Sequence, residues 1–183
     1  MALLHTPEKN ENLYAPDFTL KNIDGHTLSY ADIKGQNGTV IAFICNHCPY
    51  VQAIIDRFVS DAKILQANGV NTVCIMPNDT KNYPEDSFEN MKKFAARHGF
   101  TFPYLIDETQ GTAHAYDAIC TPDIFGFNAD GQLQYRGRLD SAGPNPADEN
   151  TVKELVNAMT QIAEAGTGPA QQHASMGCSI KWK

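Results

Sequence analysis

Residues 39–44 read TVIAFI, a run without charge and without apolar–polar alternation. Continuous apolarity over so short a span predicts a strand buried on both faces. From Pro49 the period changes. Val51, Ile54, Ile55, Phe58, Ala62 and Leu65 recur on one helical face, and Gly69 supplies a stop signal. Residues 70–76 predict a second buried strand. Residues 87–98 predict a helix with Phe88, Met91, Phe94 and Ala95 inward and Gly99 behind it. A short strand is expected at 102–106 and a short helix at 109–116. Segments 123–128 and 132–136 flank Asn128-Ala129-Asp130-Gly131, a hairpin signal. A last helix is expected over 150–165, with Val152, Leu155, Val156, Met159 and Ile162 inward. Ahead of all these, two short alternations around Asp24-Gly25 predict a β-hairpin.

Strand, helix, strand, helix, hairpin and helix is an α/β order with a mixed central sheet flanked by helices. The polar residues 1–14 are expected to form a flexible N-terminus, 15–165 a single domain, and 166–183 a C-terminal arm. The arm is rich in Gly, Ala, Gln and Ser but ends in Cys178, Ile180 and Trp182, the only tryptophan. Such an ending predicts an arm that docks on the domain.

With 183 residues, 42% of them hydrophobic, the chain can bury one sizeable core without staples. A net charge of −7 and the absence of a basic run argue against nucleic acid or anionic lipid as partners. No apolar run approaches the roughly 18 residues that span a membrane. The N-terminus lacks a basic, then apolar, leader pattern. A cytoplasmic location is therefore expected. In a reducing compartment the five cysteines are expected to serve chemistry or packing rather than a disulfide scaffold.

The chemistry concentrates at Cys45-Asn46-His47-Cys48, where the buried strand ends and the helix begins. A free thiol, pKa about 8.5, is only about 3% ionised at neutral pH, and a helix N-terminus or a cation lowers that pKa. A two-residue spacer at this junction suits a thiol pair that opens and closes a disulfide. His47, if protonated, would stabilise a neighbouring thiolate. Pro49 leaves two registers open. With Cys45 as N-cap the proline falls inside the first turn. With Cys48 as N-cap it takes the favoured first helical position and gives Cys48 more of the dipole. Which cysteine attacks is open on these grounds.

An apolar strand ending in the cysteine pair, followed by Thr121-Pro122 before a late strand, resembles the thioredoxin superfamily. The resemblance implies a thioredoxin-like fold and a cis peptide at Pro122 beside the cysteines. Ala15-Pro16-Asp17-Phe18, CNHCPYV at 45–51, YRGRLD at 135–140 and GCSIKWK at 177–183 narrow it further. They resemble a peroxiredoxin-like subgroup related to alkyl hydroperoxide reductase and thiol-specific antioxidant proteins. The peroxiredoxin pattern Pro-x-x-x-Thr-x-x-Cys is absent, however. Counting back from Cys48 gives Cys45 and Ile41, and from Cys45 gives Ala42 and Gly38. Arg136 and Arg138 are candidates for the guanidinium that pattern needs.

The expected activity is thus thiol–disulfide exchange by Cys45 and Cys48, supported by His47, Thr121 and Pro122. Its partners would be a protein or small-molecule disulfide and a cellular thiol or thioredoxin-type reductant, with no cofactor. The alternatives are a thiol peroxidase or antioxidant protein, and a thiolate module. In the module, Cys45 and Cys48 with His47, Cys120 or Cys178 would hold zinc or Cu(I). Cys178 on a semi-mobile arm is a candidate third thiol. Cys74 and Cys120 are read as packing, and His98 and His114 as solvated.

Overall fold

The computed structural model describes residues 2–183. The first half holds β1 (Leu3–His5), β2 (Thr19–Asn22), β3 (Thr27–Ser29), α1 (Tyr30–Ile33), β4 (Gly38–Phe43), α2 (Pro49–Ala67) and β5 (Val70–Met76). A 3-10 turn (Pro84–Asp86) leads to α3 (Phe88–His98), β6 (Tyr104–Ile106), α4 (Gly111–Ala115) and β7 (Cys120–Thr121). Then come β8 (Asp123–Phe127), β9 (Leu133–Arg136), α5 (Glu154–Ala165) and β10 (Met176–Ser179). Seven strands form one mixed sheet ordered β3-β2-β6-β5-β4-β8-β9, and β1-β10-β7 form a small second sheet. β4, β5 and β6 run parallel, while β8 lies antiparallel to β4. This is the thioredoxin-like α/β fold.

The unbroken apolarity of β4 has a two-sided cause. Val40 and Ala42 face α2 and α5, meeting the cluster of Ile54, Phe58, Leu155 and Met159. Ile41 and Phe43 face the opposite layer of Tyr116, Phe125 and Phe127. The Phe43 ring meets Tyr116 at 5.6 Å and Phe125 at 5.8 Å, edge to face. Each such pair adds about 0.5–1.5 kcal/mol beyond its buried area. The rigid central strand therefore delivers its C-terminal end, and the cysteines after it, to a fixed place.

Two expectations need correction. The last helix begins at Glu154, not at 150, and Val152 is 50% exposed rather than inward. The Asp148 carboxylate accepts from Asn150 N and from Thr151 Oγ1, and Asp148 N donates to Thr151 Oγ1. Such side-chain turns compete with helix. The segment 1–14, expected to be flexible, contains β1, which pairs antiparallel with β10 in the register Leu3↔Cys178. Leu13 also accepts from Leu133 N. These partners lie more than a hundred residues away, so local polarity concealed them.

β10 also pairs with β7, in the register Cys178↔Thr121. Gly177 makes this approach possible, because a Cβ there would collide with the Thr121 carbonyl oxygen. Gly177→Ala is expected to lift β10 off β7 and to destabilise the protein by about 1–3 kcal/mol, the range for overpacking. Urea denaturation and mass-resolved alkylation check this. A Gly177→Ala variant with an unchanged midpoint and a protected Cys178 would contradict the packing.

Candidate active site

The structure selects the second register at the cysteine pair. Cys48 is the N-cap of α2, in extended backbone conformation, and Pro49 takes the first helical position. The first helical hydrogen bond runs from Gln52 N to Cys48 O. Cys48 thus sits where unpaired N–H groups collect positive charge. No cap hydrogen bond closes on its thiol, but the Val51 N–H favours its charged form.

The loop is held from the β5–α3 connection. Asn46 N donates to Asp86 Oδ1 at 2.8 Å, and Asn78 Nδ2 donates to Asp86 Oδ2 at 2.8 Å. The Asn46 side chain donates to Glu85 O and accepts from Tyr104 Oη, while Gln52 Nε2 donates to Asn46 O. His47 Nδ1 lies 2.8 Å from Asp86 Oδ2, but the ring is not aligned for a hydrogen bond. The contact is therefore an ion pair only when His47 is protonated. The ring also stacks parallel to Tyr83 at 5.9 Å. Asp86, Tyr83 and Tyr104 carry no sequence signal for this role, since their loop partners lie tens of residues away.

The sulfurs converge on Thr121. Cys45 Sγ lies 3.4 Å from Thr121 Oγ1, and Cys48 Sγ lies 3.1 Å from Thr121 O. The Thr121–Pro122 peptide is cis. Cys178 Sγ lies 3.0 Å from Cys48 Sγ. Cys45, Cys48, Thr121, Pro122 and Cys178 are thus brought together, with His47 on the loop. A swinging arm is not needed to place Cys178, because strand pairing fixes it on both sides. The exposures of Cys45, Cys48 and Cys178 are 1%, 0% and 3%. A shallow cleft of about 210 Å³, lined by Tyr50, Ile54, Pro122, Arg138, Ser141 and Met176, opens beside them. A larger groove along β9 contains no cysteine.

The three thiols differ in their electrostatics. Hydrogen bonds from Cys45 and then Cys178 lower Cys48 to about 5, against the opposing effect of burial. The Thr121 carbonyl also opposes, since it prefers a protonated sulfur. Cys45 is pushed well above the ordinary thiol value by its bond to Cys48, by burial and by the Asp86 charge. Burial and the bond to Cys48 push Cys178 up to about 12. Burial holds Cys74 and Cys120 protonated.

The remaining candidates are held by other groups, Arg138 on the wall of the cleft beside the cysteines. Arg136 is buried and bound through Nε and Nη2 to Asp123, and Arg138 binds Glu154 through the same two nitrogens. His98 pairs with Asp56 at 2.7 Å, and His114 stacks on Trp182 at 4.1 Å, so both have partners beyond solvent. Among the described residues, the donor atoms that converge for a metal are those of Cys45, His47 and Asp86, within 4.8 Å of one another. This trio holds a single thiolate, and in place of Cys48 it has a carboxylate whose oxygens already accept from Asn46 and Asn78.

Known proteins carry the same architecture. The AhpC/TSA family matches residues 12–136. The thiol-disulfide oxidoreductase ResA of Geobacillus thermodenitrificans is 27% identical over 120 residues, 66% of this chain and 64% of that protein. The chain therefore spans less than two thirds of that relative's length. The crystal structure of an uncharacterized conserved protein from Geobacillus kaustophilus superposes with a TM-score of 0.93 at 44% identity, covering 100% of this chain and 97% of that one. That of a hypothetical protein from Sinorhizobium meliloti gives 0.91 at 31% identity, covering 98% of each chain. With the family matched across the strand, the cysteine pair and the cis-proline loop, this chain belongs to the AhpC/TSA family.

Proposed function

We propose that the chain is a thiol–disulfide oxidoreductase in which Cys48 attacks and Cys45 resolves. One observation carries this reading: Cys48 Sγ stands at the N-terminus of α2, against the Thr121 carbonyl of the cis-proline loop, with a second thiol in the same loop. The Cys48 thiolate attacks one sulfur of a protein or small-molecule disulfide, and the other sulfur leaves as a thiolate. Cys45 then gives up its proton and attacks Cys48 Sγ. The second substrate thiolate departs, taking up that proton, and a Cys45–Cys48 disulfide remains. A hydrogen bond from Thr121 Oγ1, 3.4 Å away, favours the Cys45 thiolate and so supports this step. A cellular thiol or thioredoxin-type reductant restores the dithiol.

Peroxide reduction by the antioxidant branch of the family would require a guanidinium at the attacking sulfur. Arg136 and Arg138 are bound to Asp123 and Glu154 instead, which supports disulfides over peroxides as substrates. Insulin reduction and peroxide consumption are to be measured on one preparation. Disulfide turnover is expected to fall at least about 100-fold in Cys48→Ser, as for loss of a nucleophile. Peroxide consumption no faster than that of a free thiol is expected. The opposite pattern would overturn the reading.

The assignment of the nucleophile has its own test. Thiolate absorbance of the reduced protein is expected to rise in a step near pH 5 that vanishes in Cys48→Ser. In Cys45→Ala, which removes the strongest donor, the step is expected to move toward the free-thiol value of about 8.5. A low-pH step surviving in Cys48→Ser would assign the thiolate to another cysteine. Because the folded Cys48 value lies below the unfolded one, its contribution to stability is complete above about pH 8.5. It is lost as pH falls through about 5. The stability difference between wild type and Cys48→Ala, followed by urea unfolding under reducing conditions, is therefore expected to grow from about pH 5 to about pH 8.5.

A further inference from the structure

We propose that Cys178 is a third exchanging thiol, an intramolecular partner that competes with Cys45 for Cys48. The inference rests on the oxidoreductase reading and extends it. Its basis is position. Cys178 Sγ lies 3.0 Å from Cys48 Sγ, and a disulfide bond of about 2.05 Å asks for a closure of only about 1 Å.

That closeness is built by several independent contacts. On one flank Cys178 pairs with Leu3, and on the other with Thr121, the residue whose carbonyl touches Cys48 Sγ. Before the strand, Ser175 Oγ donates to Pro122 O at 2.9 Å. After it, Lys181 N donates to Asn78 Oδ1 and Lys181 O accepts from Asp79 N. Trp182 then stacks on His114. Four residues of GCSIKWK build this placement. Gly177 gives clearance over the Thr121–Pro122 peptide, Cys178 meets the sulfur, and Lys181 and Trp182 anchor the end. β10 lies along β7, next to the cysteine pair, and presents a thiol there.

The chemistry balances without an added reagent. When Cys48 carries a mixed disulfide with a substrate, the Cys178 thiolate attacks Cys48 Sγ. The Cys48–substrate bond breaks, the substrate leaves as a thiolate, and that thiolate takes up the proton Cys178 released. A Cys48–Cys178 disulfide results. The Cys45 thiolate then attacks Cys48 Sγ, returning the proton and electron pair to Cys178 and leaving Cys45–Cys48. Cys48 is common to both disulfides, and the two steps form a relay.

Cys45→Ser isolates the relay. The reduced variant is mixed with dithiobis(nitrobenzoate), an aromatic disulfide whose thiolate product is coloured. Two equivalents of product are expected per chain, one from attack by Cys48 and one from resolution by Cys178. Peptide mapping is expected to find Cys48 linked to Cys178. Cys45→Ser/Cys178→Ser is expected to release one equivalent and retain the adduct. Adding Gly177→Ala to Cys45→Ser is expected to slow the second release at least about tenfold, because it displaces the thiol without removing it. Cys45→Ala is run in parallel, with circular dichroism on every variant, so that a folding defect in one does not decide the result. One equivalent from folded Cys45→Ser, with Cys178 free on mapping, overturns the relay and leaves the Cys45–Cys48 reading standing. No release at all overturns the attack by Cys48 and the relay with it.

Discussion

The buried carboxylate of Asp86 ties together the parts on which the site depends. It accepts from Asn46 in the cysteine loop and from Asn78 after β5, and it faces His47. Asn78 in turn accepts from Lys181 in the C-terminal arm. One acid thus links the loop that carries Cys45 and Cys48 to the segment that carries Cys178. A fully buried charge is tolerated only when hydrogen bonds compensate its lost hydration, and here the compensating donors belong to the site. Removing the carboxylate would leave Asn46 N and Asn78 Nδ2 without acceptors and loosen both ends together.

Its charge also shapes the thiols unequally. Asp86 disfavours a thiolate at Cys45, while the start of α2 favours one at Cys48. In this loop the proline sits directly after the second cysteine, so the helix begins there and its dipole falls on Cys48. The proposed division of labour between the cysteines follows from where Pro49 lets the helix start.

Much of the fold is legible in the sequence because its signals are local. β4 and α2 announce themselves by a change of period at Pro49, and the position of Cys45 and Cys48 at that junction follows. Pro122 is reached only through resemblance, since nothing in a Thr-Pro dipeptide states its isomer. Asp86 escapes notice because a charged residue in Pro84-Glu85-Asp86 reads as a solvated turn; its burial comes from partners contributed by other segments. β1 and β10 escape for the same reason, being strands only by virtue of each other and of β7. The start of α5 is misplaced because the apolar period extends back to Val152, while the Asp148 and Thr151 side chains close a turn there first.

The pairing of β1 with β10 has a consequence for how the protein is made. Cys178 is synthesised 130 residues after Cys48. Contacts of such separation are slow to form, and an emerging chain organises its earlier parts first. On the ribosome the cysteine pair is therefore complete, and its helix able to form, before the small sheet that covers it exists. The nascent chain passes through an interval in which these sulfurs are open to passing oxidants and disulfides. The emergence of β10 from the tunnel ends it.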